Sequence, residues 1–100
     1  MPVTTSLHNL LDQVDSERTF LAFVAVLVQD RVNAVQAEKN ESSSTYGPNA
    51  GGWENTTIED FLESASAWAE DTDFGLTQGR RTDNPWKQFA RFLYAGKFYE

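Results

Sequence analysis

Apolar positions recur along this chain at helical spacing. Leu7, Leu10, Leu11 and Val14 follow an i, i+3, i+4, i+7 rhythm, which predicts a short helix that Ser6 can cap. Asp15 or Ser16 reads as a second N-cap, with Glu17 favourable in the first turn that follows. From Glu17 to about Glu38 there is neither Gly nor Pro. Leu21, Val24, Ala25, Val28, Val32 and Val35 mark one helical face there. Phe20, Phe23 and Leu27 widen it over most of the circumference, the pattern of a central helix. The β-branched run FLAFVAVLV also suits a strand. The apolar rhythm continues past Gln29, Asp30 and Arg31, however, and a strand of that length is unusual.

Residues 39–52, rich in Ser, Asn and Gly, read as a long loop. Beyond it, Thr56 or Thr57 can cap a helix, with Glu59 or Asp60 three residues on. Ile58, Phe61, Leu62, Ala65, Trp68 and Ala69 form its apolar stripe. Glu59, Glu63 and Glu70 fall on one flank, and Asp60 and Asp71 on the other. This helix stops around residues 71–73, before Gly75, and a second loop covers 74–83. Asp83 or Asn84 with Pro85 then opens a last helix, whose buried face is Trp86, Phe89, Ala90 and Leu93. Gly96 either frays this helix or permits a close helix contact. The expected fold is all-α: a single domain, 1–100, built as a small bundle of about four helices with a long Ser/Gly-rich loop. Helix 16–38 would lie at its centre, against the helices starting near 57 and 85.

Composition narrows the functions. There is no Cys, so a disulfide framework, a thiolate zinc site and a cysteine nucleophile are all excluded. A formal charge of −7 argues against nucleic acid and against an anionic membrane surface. The longest uninterrupted apolar run, Phe20 to Val28, is short for a membrane span, and no secretory signal pattern opens the chain. The cytoplasm is the expected compartment. The charge is also uneven. Residues 53–74 hold seven acids and no base, whereas 75–100 hold five bases and two acids. Two arrangements follow. Lys87 and Arg91 could lie beside Glu59 and Glu63 and set helix register, or the acidic flank is left for a basic partner.

Candidate chemistry is sparse. His8, the one histidine, has no positioned partner by spacing, and no nucleophile motif, Glu-x-x-His pair or calcium-loop spacing occurs. No catalytic residue, metal ligand or cofactor is assigned. The candidate binding residues are Trp53, Glu54, Asn55, Glu59, Asp60, Glu63 and Glu70. Trp53 either packs back on the first turns of its helix or stands out as a binding hot spot. The reading these residues favour is a protein–protein interaction module with an unidentified, basic partner. An immunity- or antitoxin-like inhibitor is one concrete form. The alternative is a small metal-dependent or carboxylate-based enzyme using Glu54, Asp60 and Glu63.

The stretch WENTTIEDFLESASAWAED, then a loop, then NPWKQFARFLYAGKFYE, resembles a family of small uncharacterised bacterial proteins. The pattern is a Trp-Glu-Asn start, an acidic Phe-Leu-Glu helix ending in Trp, and a C-terminal aromatic helix. Here it falls on Trp53, Glu54, Asn55, Phe61, Leu62, Glu63, Trp68, Trp86, Phe89, Ala90, Leu93, Ala95, Tyr99 and Glu100. The resemblance spans the second half of the chain. It implies a compact, soluble bacterial domain and brings no activity with it.

Overall fold

A side-chain cap sets the start of each α-helix. In the computed structural model, which describes residues 6–40 and 52–99, the helices are α1 (Leu7–Gln13), α2 (Glu17–Asn40), α3 (Ile58–Thr72) and α4 (Pro85–Phe98). A 3₁₀ turn covers Leu76–Gln78, and no strand occurs among the described residues. Ser6 Oγ accepts from the Asn9 amide, Thr57 Oγ1 from Asp60, and Asn84 Oδ1 from Lys87, with Pro85 in the first turn of α4. At α2 the cap is reciprocal: Ser16 Oγ accepts from the Thr19 amide, and Thr19 Oγ1 accepts from the Ser16 amide. α1 and α2 are therefore separate helices. α2 continues to Asn40, past its expected end, and residues 41–51 of the expected loop lie outside the described residues.

The C-terminal end of α3 is turned by three successive left-handed residues: Asp73 (φ 52°), Phe74 (φ 52°) and Gly75 (φ 88°). For Asp73 and Phe74 this conformation costs about 1–2 kcal/mol each. Buried Thr72 helps hold the turn, donating to the Trp68 carbonyl (2.6 Å) and accepting from the Gly75 amide (2.9 Å). Phe74 is wedged edge-on to Trp68 and stacked on Phe92.

α4, not α2, is the central helix. It packs against α1, α2 and α3, and its most extensive interface is with α3. α2 lies along α1 and α4 but does not run along α3. Its core face is Phe20, Phe23, Leu27 and Ala34, whereas Leu21, Val28 and Val32 are 56, 57 and 44% exposed. The broad apolar pattern of α2 is thus two faces, and among the described residues only one is covered. α4 reaches the centre through small residues. Ala90, Ala95 and Gly96 are buried, and a β-carbon on Gly96 would sit 2.8 Å from the Phe61 carbonyl oxygen. Gly96 is therefore a close-contact site within the helix. Trp86 and Phe89, expected in the buried face, lie at its rim against Phe20, with ring centroids 5.6 and 5.4 Å away.

Two apolar cores result. One gathers Leu11, Val14, Phe20, Phe23, Leu27, Ala34, Trp53 and Ala90; the other gathers Trp68, Ala69 and Ala95. By length and composition alone, residues Glu17–Lys39 are also apolar enough to cross a membrane. The nine-residue run underrates this helix because Asp30 and Arg31 interrupt it. In this fold both charged residues have partners.

Candidate functional site

Those partners begin with Trp53. The ring is 4% exposed, so it offers no exposed hot spot. Its indole Nε1 donates to Asp30 Oδ2 at 2.8 Å, and Lys97 Nζ pairs with the same oxygen at 2.8 Å. Arg31 and Lys97 lie 5.2 and 5.6 Å from the centroid of the indole, in cation–π range. Phe61, the fourth residue of α3, stacks on the ring at 6.1 Å. Trp53 thus joins α2, α3 and α4 at one point. The packed-back alternative holds, with α2 and α4 added to the first turn of α3.

Glu54 and Asn55 complete the same clamp. Both backbone amides donate to the Lys97 carbonyl, at 3.1 and 3.3 Å. Asn55 Nδ2 donates to the Gly96 and Tyr99 carbonyls, at 3.0 and 3.1 Å. The last turn of a helix leaves carbonyls without partners, and Asn55 supplies donors to them. The Trp-Glu-Asn tripeptide is a structural tie across the end of α4. Tyr99 adds a second tie, its phenol donating to Asp71 Oδ2 at 2.8 Å. That hydrogen bond raises the Tyr99 pKa above its ordinary 10.0.

Glu59, Asp60, Glu63 and Glu70 remain on the surface. All four are exposed, and none forms an ion pair among the described residues. The basic residues of α4 go elsewhere. Lys97 serves Asp30, Arg91 lines a cleft beside α1, and Lys87 makes no ion pair among the described residues. The pairing of Lys87 and Arg91 with Glu59 and Glu63 does not occur, because α4 meets α3 through small and aromatic residues. Ile58 (77% exposed) and Leu62 (50%) also stand out from α3, although both were expected in the buried stripe. At helical spacing they border the ridge of Glu59, Glu63 and Glu70. The result is an apolar strip edged by carboxylates.

Glu54, Asp60 and Glu63 are not gathered into a metal-holding group, and among the described residues no three His, Asp or Glu side chains are. His8 sits 3.7 Å from Asp12 on the exposed face of α1. Sequence reasoning missed Asp30, Arg31 and Lys97 as the partners of Trp53. The signal was present, since a charged pair in the middle of an apolar helix needs compensation.

No curated protein and no solved structure matches the chain. A family model does, over residues 16–100, from the Ser16 cap of α2 onward and without α1. The match takes in α2 as well as the second half of the sequence, and the chain belongs to the family of unknown function DUF7660.

Proposed function

We propose that the domain is a protein–protein interaction module whose docking surface is the Ile58–Leu62 strip of α3 with its ridge of Glu59, Glu63 and Glu70. The observation that carries this reading is the coincidence of exposed apolar side chains with exposed carboxylates that have no ion-pair partner among the described residues. Apolar contact would supply affinity. The carboxylates would steer a basic partner and speed its association. Masking of a basic partner, as an immunity- or antitoxin-like inhibitor does, is one form of this function.

Reversal of Glu59, Glu63 and Glu70 to Lys is expected to abolish a salt-sensitive pull-down while leaving helicity by circular dichroism intact. A second variant, Ile58→Ser with Leu62→Ser, is expected to lose the same protein. Retention of that protein by both variants overturns the reading.

A further inference from the structure

Away from this acidic face lies a cleft of about 430 Å³ between α1, the 3₁₀ turn and α4. That volume lies within the range of small-molecule sites, roughly 300–1,000 Å³. Two guanidiniums line it, Arg80 from just beyond the turn and Arg91 from α4. Neither forms an ion pair or donates a side-chain hydrogen bond among the described residues, although Arg91 is half-buried. The nitrogens of both guanidiniums reach solvent, so their donors are open to a ligand. Two further polar groups on the wall are already engaged: Trp68 donates its indole N–H to Gln78 Oε1 at 3.1 Å, and Tyr99 donates to Asp71. Tyr94 lies within the fields of both Arg80 and Asp12, so opposite charges meet across the cleft. Its phenol, raised above the ordinary 10.0 chiefly by burial, stays protonated as a donor at neutral pH. Phe98, 40% exposed, is the open aromatic surface and stands edge-on to Tyr94 at 5.1 Å.

We propose that this cleft binds a small phosphate monoester carrying a planar ring. Arg80 and Arg91 hold the phosphate, Phe98 packs on the ring, and Asp12 accepts from a ligand hydroxyl or amine. Two guanidinium forks offer more donors than one carboxylate can accept, and they match a doubly charged tetrahedral anion. In a chain of net charge −7, two guanidiniums against the one carboxylate of Asp12 leave the cleft a local excess of positive charge for such an anion.

Phenyl phosphate is the probe, read by the indole N–H resonances of the full chain. The Trp68 signal is expected to shift saturably, while buried Trp53, outside the cleft, stays still. Arg80→Gln with Arg91→Gln is expected to weaken binding by at least about tenfold. Lys87→Gln, outside the cleft, is expected to change nothing. Circular dichroism of the double variant should match the parent, because neither side chain holds the fold together. The absence of a saturable Trp68 shift at millimolar probe overturns the proposal, as does undiminished binding by the folded double variant. Inorganic phosphate binding as tightly as phenyl phosphate overturns the ring contact. A phosphotyrosine peptide that binds more tightly than phenyl phosphate overturns the small-molecule assignment.

Discussion

Replacing Trp53 by Ala is expected to remove about 3–5 kcal/mol of stability, the range for deleting a buried aromatic ring. A domain of this size has about 5–15 kcal/mol in total, so the loss is a large fraction of its stability. Several losses coincide at this one side chain. The ring is almost wholly buried and stacks on Phe61, while Arg31 and Lys97 lie within cation–π range of it. Its N–H also satisfies Asp30, which would be left with Lys97 alone. Trp53→Phe separates these contributions. It keeps much of the ring but loses a hydrogen bond to a charged acceptor, a loss of about 1.5–3 kcal/mol. Urea denaturation of the two variants checks both figures. A change within about 0.5 kcal/mol for Trp53→Ala, the scale of an ordinary surface substitution, would show that the ring is not a structural tie.

Gly96→Ala is expected to destabilise, although helix propensity alone predicts a gain of about 1 kcal/mol. The added methyl would meet the Phe61 carbonyl oxygen at 2.8 Å and the edge of the Phe61 ring at 2.9 Å. The first of these atoms is backbone and cannot swing away, so α3 and α4 must separate. Overpacking of this kind costs about 1–3 kcal/mol, and a contact this short with backbone belongs to the upper part of that range, so it outweighs the propensity term for a net loss of up to about 2 kcal/mol. For a domain of this length each kcal/mol lowers Tm by roughly 4–8 °C. The sign is the test: a raised Tm would mean that the α3–α4 interface has slack to absorb a methyl group.

The elements of this fold were legible because their signals are local. Ser6, Ser16, Thr57 and Asn84 cap helices within three residues of themselves, so short sequence windows contain the whole interaction. Their arrangement was not legible for the opposite reason. α2 has the widest apolar surface, yet α4 takes the centre, because Ala90, Ala95 and Gly96 let neighbouring helices approach. Periodicity registers apolar bulk and is blind to closeness of approach. The candidate site divides in the same way. The carboxylates of α3 were found, since acids that avoid an apolar stripe are visible on a helical wheel. The role of Trp53 was open in sequence, because Asp30 and Lys97 lie 23 and 44 positions away along the chain. The exposure of Ile58 and Leu62 was misread because the stripe is covered at Ala65, Trp68 and Ala69 but left open toward its N-terminal end.

Cooperativity in this fold is a property of one helix. Ala90 belongs to one core and Ala95 to the other, little more than a turn apart on α4. A tilt of α4 that opens one interface therefore strains the other. The two cores are mechanically coupled, although α2 and α3, which complete them, scarcely meet. Trp53 lies in the first core and Trp68 in the second, so the chain carries an indole reporter in each of the two coupled cores.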